Sequence, residues 1–157
     1  NAVYNQANMV LVVLDNSTTA MTGHQPHPGT GRTVMGEIVQ KINIEQVLRG
    51  TGVTEIETIN PLELEASVSC VKRMAEKSGV RAIIFKAPCI AVTKPKAPLH
   101  VDQDSCIGCK KCIRDLGCPA IVMNDGKICI DASMCTGCHL CSQVCPVCAI
   151  AGGDDYE

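Results

Sequence analysis

Twelve cysteines stand in this chain of 157 residues, and eight of them fall into two compact runs. The first is Cys106-x2-Cys109-x2-Cys112-x5-Cys118-Pro119; the second is Cys135-x2-Cys138-x2-Cys141-x3-Cys145-Pro146. Three cysteines spaced by two wrap one cubic iron–sulfur cluster, because a tight turn aims all three thiolates into one pocket. The fourth, just before proline, points away and completes the other cluster. This spacing assigns Cys106, Cys109, Cys112 and Cys145 to one [4Fe–4S] cluster, and Cys135, Cys138, Cys141 and Cys118 to a second. Such clusters carry single electrons.

Zinc and disulfides are the rival uses of so many thiols. Zinc asks for two CxxC pairs, one for each half of a tetrahedron; here each run has a third cysteine and a Cys-Pro that a zinc site does not need. Cysteines two residues apart bridge poorly, and no signal-like N-terminal stretch points to an oxidising compartment. The four cysteines outside the pattern, Cys70, Cys89, Cys129 and Cys148, read as buried small hydrophobes. Cys148 follows Cys145-Pro146 closely enough to compete as a ligand. His139, between Cys138 and Cys141, reads as an exposed loop residue, the alternative being that it tunes a cluster by its charge or hydrogen bonding.

The two runs are also an internal repeat. Cys106, Cys109 and Cys112 map onto Cys135, Cys138 and Cys141 at one constant offset, and Ile121 maps onto Ile150 at the same offset. Each half reads as strand, cysteine loop, short helix and strand. Leu99–Val101 and Ala149–Ala151 are expected as outer strands. Ile121–Met123 and Lys127–Ile130 are expected as a hairpin around Asn124-Asp125-Gly126. A module this small cannot bury a large core, so the clusters must hold it together, and iron loss is expected to unfold it.

Charge and punctuation divide the chain in two. Residues 1–97 carry ten basic and eight acidic groups, whereas residues 98–157 carry four and eight. The iron–sulfur half is thus acidic before any cluster charge is added, which favours low cluster potentials. Nucleic-acid binding is excluded as a reading: there is no basic face, and Phe85, Tyr4 and Tyr156 are the only aromatic residues. No apolar run is long enough to span a membrane. The boundary falls in Pro88–Pro98, where Pro88, Pro95 and Pro98 interrupt regular structure.

The first part alternates strand and helix. Asn8–Leu14 is a continuous apolar run that reads as a buried parallel strand, with Thr54–Ile59 and Arg81–Lys86 as two more. Between the last two, Leu62, Ala66, Val68, Val71, Met74 and Ala75 mark one face of a helix over about Pro61–Ser78, with Pro61 in its first turn and Gly79 at its stop. That is a βαβ unit of an open α/β sheet, whose ligands bind beyond the carboxyl ends of the strands. The segment after the first strand, Asp15 to Gly31, is long, polar and punctuated by glycine and proline, as a binding loop is.

Leu14-Asp15-Asn16 followed by Thr22-Gly23-His24-Gln25 resembles the thiamine-diphosphate domain of 2-oxoacid:ferredoxin oxidoreductases. The fuller string Thr22 to Gly31 is similar to the alpha subunits of the indolepyruvate branch, which also end in a two-cluster ferredoxin module. The resemblance covers the whole chain. It implies the C-terminal part of a thiamine-diphosphate-binding open sheet over residues 1–97 and an α+β, ferredoxin-like 2[4Fe–4S] module over residues 98–157. It also implies a magnesium ion held by Asn16 and Thr18, with Met21, Thr22, Gly23 and Gln25 around thiamine diphosphate. His24, and less so His27, would face the substrate or move a proton.

Two departures follow from the same comparison. Relatives acting on pyruvate tend to carry asparagine where Met21 stands, so an apolar residue there implies a bulkier, aromatic 2-oxoacid. The family's upstream Gly-Asp segment, which supplies another magnesium ligand, is absent, and the chain opens at Asn1 without an initiator methionine. It therefore reads as the C-terminal piece of a longer subunit, inactive on its own.

For the intact enzyme the resemblance implies oxidative decarboxylation of arylpyruvates in a reducing, anaerobic cytoplasm. Coenzyme A takes the acyl group, and electrons pass through both clusters to an external ferredoxin. A smaller beta subunit completes the assembly. The competing readings are the same reaction on pyruvate or another aliphatic 2-oxoacid, and a purely electron-transferring protein whose α/β half is a docking platform.

Overall fold

The computed structural model describes residues 1–23, 25–94 and 96–152. His24 and Pro95 lie outside them. The chain divides into two compact units, Asn1–Thr93 and Lys94–Glu157, so the break falls inside the proline-punctuated stretch.

The first unit is built on a parallel three-stranded sheet. Its strands are β1 (Met9–Asp15), β2 (Glu55–Ile59) and β3 (Val80–Lys86), in the order β1-β3-β2. The sequence Val-Arg-Ala-Ile-Ile-Phe-Lys takes the middle place because Ala82, Ile83 and Ile84 can be covered on both faces, and all three are buried. β1 differs from the expected buried strand: it pairs on one edge only among the described residues, and Val12 and Leu14 are exposed.

Two helices connect the strands. α1 (Ile44–Gly50) begins at Asn43, whose side chain accepts the Gln46 N–H, and an Arg49–Glu45 ion pair closes its last turn. No helix was expected there. α2 spans Leu64–Glu76, not Pro61–Ser78. Pro61 instead belongs to a turn in which Asn60 Oδ1 accepts the Leu62 N–H, and helical hydrogen bonding begins at Glu63. The buried stripe is Ser67, Cys70 and Met74, whereas Ala66, Val68, Val71 and Ala75 face solvent. A three-stranded sheet offers a narrow floor, so only residues one helical turn apart reach it. Cys70, Met74 and Ile83 form the core, with Val10, Ile59 and Phe85 packed around them. Buried Arg81 ties the layers: it donates to the carbonyls of Met74 and Gly79 and to the Asn8 side chain.

The second unit repeats itself. β4 (Leu99–Val101) pairs antiparallel with β7 (Ile150–Gly152), and β5 (Ile121–Asn124) pairs antiparallel with β6 (Lys127–Ile130). The β5–β6 turn is Asp125-Gly126, both with positive φ, as a two-residue turn of matched twist requires. α3 (Lys111–Leu116) and α4 (Leu140–Val144) follow the two cysteine loops. Leu99, Ala120, Ile121, Ile128, Val144, Ala149 and Ile150 make the small core.

Candidate functional site

The halves of the second unit are related residue by residue, and the hydrogen bonds show how. Asp102 N–H donates to Ala149 O at 2.8 Å, and Asp131 N–H donates to Ala120 O at 2.8 Å. These bonds exchange when the halves are swapped, which is the mark of a pseudo-twofold. Each aspartate then opens its cysteine loop in the same way. Asp102 O accepts the Cys106 N–H and Asp131 O accepts the Cys135 N–H, both at 3.0 Å. Asp102 Oδ1 takes the Asp104 N–H, and Asp131 Oδ1 takes the Ser133 N–H and hydroxyl. Hydrogen bonds from Ser105 and Ser133 hold the two carboxyls below their ordinary range. Lys110 and His139, at equivalent positions, both take the left-handed conformation where loop turns into helix.

This frame brings the cysteines together across the halves. Cys106, Cys109, Cys112 and Cys145 line one cavity with Lys110 and the aliphatic side chains of Ile107, Ile128 and Ile150. Burial pushes the Cys112 thiol up, and Cys109 and Cys145 add to it. In the other half Cys141 is pushed up to about 11, first by burial, then by Cys138 and Cys135 and more weakly by Cys118. Each group of four thus contains a cysteine from the opposite run. Among the described residues no three His, Cys, Asp or Glu side chains close up around a single metal ion. Four thiols in an aliphatic lining are the donor set of an iron–sulfur cluster, so these residues fit one. Backbone donors also reach sulfur: Ala149 N–H lies 3.3 Å from Cys145 Sγ and Leu99 N–H 3.5 Å from Cys135 Sγ.

The leftover cysteines divide. Cys70 is fully buried as expected, but Cys89 and Cys129 are half-buried and Cys148 is exposed, with a left-handed φ of 51°. Cys148 N–H bonds to Cys145 O, so the tight Cys-Pro-Val-Cys turn leaves its side chain outside the core. His139 is half-buried rather than exposed on the loop; it precedes the first turn of α4, and its carbonyl accepts from Ser142 Oγ at 2.8 Å.

At the carboxyl end of β1 the first unit turns sharply. Ser17 has a left-handed φ of 61°, its N–H donating to Asp15 Oδ1 at 3.0 Å. Thr18 N–H donates to Asn16 Oδ1 at 3.2 Å, and Asn16 O accepts from Cys89 N–H, so two of the expected magnesium-site residues share one short turn. Both offer the hard oxygen donors that magnesium requires. Met21 sits in a 3-10 turn, Ala20–Thr22, with its side chain fully exposed; Gly23 follows with a left-handed φ. Thr22 Oγ1 donates to Gln25 Oε1 at 2.6 Å. His24 lies outside the described residues.

Two cavities flank this end of the sheet. Asn16, Leu14, Pro61, Ser67 and Phe85 line one of about 280 Å³. Asp15, Ser17, Thr58, Ile84 and Lys86, with the segment before α1, line another of about 490 Å³. Alternation of side chains along β1 sends its neighbours to different faces. The second cavity was not expected: its far wall comes from residues 40–46, which carry no recognisable motif.

Comparison with known proteins fits this division. Residues 1–85 match the thiamine pyrophosphate enzyme, C-terminal TPP binding domain, and residues 99–146 match the 4Fe-4S dicluster domain. The chain is similar to indolepyruvate oxidoreductase subunit IorA of Methanothermobacter thermautotrophicus, 45% identical over 152 residues, covering 96% of this chain and 25% of that protein. It is also similar to the IorA subunits of Archaeoglobus fulgidus and Thermococcus kodakarensis. The former is 40% identical over 156 residues (96% of this chain, 25% of that protein). The latter is 41% identical over 163 residues (93% and 24%). The chain therefore spans about a quarter of the length of the curated relatives it matches. No solved structure matches it significantly.

Proposed function

This chain belongs to the thiamine pyrophosphate enzyme family through its C-terminal TPP-binding domain, and from that premise we propose that it serves a 2-oxoacid:ferredoxin oxidoreductase acting on arylpyruvates. The observation that carries this reading is the union, in one chain, of a thiamine-family sheet with a unit whose eight cysteines group by fours across a pseudo-twofold. A decarboxylation that leaves two electrons behind needs an acceptor of single electrons close at hand, and a dicluster module supplies it.

When bound, thiamine diphosphate supplies the carbanion chemistry that severs the keto carbon from the carboxyl group. The chain's own residues have narrower tasks. Asn16 and Thr18 offer oxygen ligands to a magnesium ion that would hold the diphosphate. Met21, Thr22, Gly23 and Gln25 form the loop against the cofactor, with the Thr22–Gln25 hydrogen bond fixing its shape. The exposed Met21 side chain offers an apolar surface to an aromatic substrate. Cys106, Cys109, Cys112 and Cys145 hold one [4Fe–4S] cluster; Cys135, Cys138, Cys141 and Cys118 hold the other. Coenzyme A as acyl acceptor, a smaller beta subunit and an external ferredoxin complete the reaction.

The test is anaerobic turnover of the complete subunit with its partner. Indolepyruvate and phenylpyruvate are expected to drive ferredoxin reduction that depends on added thiamine diphosphate and coenzyme A, faster than pyruvate does. Reduction indifferent to thiamine would leave only an electron carrier. A preference for pyruvate would move the substrate to the aliphatic class.

A further inference from the structure

The two halves of the second unit share a frame but not a surface. The offset that carries Cys106 onto Cys135 places Lys110, Lys111 and Arg114 on His139, Leu140 and Gln143. Three of the four basic side chains in residues 98–157 therefore stand together beside one cysteine loop, and the other loop has none. All three are exposed. Lys111 pairs with Asp115, whereas Lys110 and Arg114 have no acidic partner among the described residues.

Burial separates the loops in the same sense. Gly137 is buried, and a Cβ there would lie 2.7 Å from both Ala97 O and Lys96 Cβ, so the chain leading into β4 covers the Cys135 loop. At the equivalent Gly108, which is exposed, nothing lies within 4 Å of such an atom. Ile107 is exposed where its counterpart Thr136 is half-buried. Of the eight cysteines proposed as cluster ligands, Cys109 alone is exposed. Arg114 Nη2 donates to its carbonyl oxygen at 3.2 Å, and Ile107, Lys110 and Val147 line the same cavity. An apolar rim and two unmatched cations thus flank the most exposed of these cysteines.

We propose that the Cys109 face docks a small acidic electron-carrier protein, and that electrons leave the chain there rather than through the covered Cys135 loop. Each transfer moves one electron from the Cys106-group cluster to the carrier's own redox centre, with no bond made or broken and no proton moved. Electron-transfer rates fall steeply with distance, so the carrier has to seat against an exposed ligand. Charge decides its sign. Residues 98–157 carry eight acidic groups against four basic, which on their own would attract a cationic partner; the face around Cys109 is locally the reverse. Ile107 and Val147 supply the part of the contact that salt does not screen. That the electrons come from a 2-oxoacid rests on the oxidoreductase reading above; the docking face does not.

The probe is an acidic plant-type [2Fe–2S] ferredoxin, titrated calorimetrically and anaerobically into the oxidised, reconstituted full chain. Affinity is expected to fall about tenfold between ~20 and ~200 mM salt. Lys110→Gln with Arg114→Gln should weaken low-salt binding about tenfold, an effect that vanishes near ~0.5 M salt. Lys127→Gln, which removes the remaining cation of residues 98–157, should leave binding unchanged. Arg114→Gln with Gln143→Arg moves a charge to the other half at constant net charge, and should bind as weakly as Arg114→Gln alone. In stopped-flow, Arg114→Gln should slow reduction of the ferredoxin by the dithionite-reduced chain severalfold, and should not slow reduction of methyl viologen, a dye that needs no seat. Binding indifferent to salt, an equal loss in Lys127→Gln, affinity recovered by Gln143→Arg, or tighter low-salt binding of a basic cytochrome c would overturn the proposal. The salt series and the cytochrome comparison need no variant, so misfolding cannot mask the answer. Failure of thiamine-dependent turnover in the complete enzyme would sink the oxidoreductase reading and leave the docking face standing.

Discussion

Cys118 and Cys145 are each the odd member of their own run, and substitution by pairs exposes which cluster each one serves. Cys106→Ser with Cys145→Ser removes two thiols from the same proposed cluster, so the double variant should keep about four irons per chain, no fewer than either single variant. Cys106→Ser with Cys118→Ser strikes both clusters and should lose nearly all of them. Iron and sulfide analysis after anaerobic reconstitution reads the difference, and the reverse result would mean that each run holds its own cluster. The sequence singles these thiols out as candidates because ligand spacing is a local property of the chain. His27 was legible only as a candidate, since what fixes its ring is the N–H of Gly29, a contact with no sequence signature. A second residue-scale expectation concerns acid. A hydrogen bond from Arg73 holds the Glu57 carboxyl below its ordinary 4.5. The stabilisation is therefore complete above that value and is lost as pH falls through the lower folded-state pKa. The pair is partly exposed, so salt should shrink an already small effect. Glu57→Gln should flatten that part of a urea-midpoint profile below pH ~4.5.

At the scale of elements, β3 and α2 carry the first unit. Met74 and Ile83 are fully buried against each other's layer, so Met74→Ala should cost about 2–5 kcal/mol in chemical denaturation. Arg81→Met keeps the volume of a long side chain but deserts the carbonyls of Met74 and Gly79 and the Asn8 amide oxygen. A loss of about 1–3 kcal/mol is expected from the unsatisfied acceptors. Strands were easier to foresee than helices here. Val80–Lys86 announces itself by the apolar run Ala82–Phe85, whereas α1 hides because Val47 is exposed and its apolar face is narrow. α2 was found but turned the wrong way. Val68 and Val71 look like core residues by composition, yet Ser67 and Cys70 occupy the floor-facing places, since hydrophobicity alone does not say which stripe a three-stranded sheet can cover.

For the whole molecule the decisive fact is that two units have two unlike sources of stability. Asn1–Thr93 rests on packed aliphatic side chains, while Lys94–Glu157 has a small core wrapped around its cysteines. Anaerobic iron chelation should therefore melt the second unit and spare the first, read as loss of amide protection confined to residues 98–152. Protection lost from β3 at the same rate would mean that the units fold as one. The duplicated frame has a further consequence through one of its mismatches: Lys110 lines the Cys106 cavity, whereas the equivalent place holds His139. A lysine in the wall of one cysteine group, with a histidine at the equivalent place in the other half, would make the two sites unequal hosts for an added electron. Reduction should then proceed in a fixed order, the Lys110 side filling first, and Lys110→Gln should narrow the gap between the two midpoints in a potentiometric titration. A near-symmetric module would in this way acquire a one-way current.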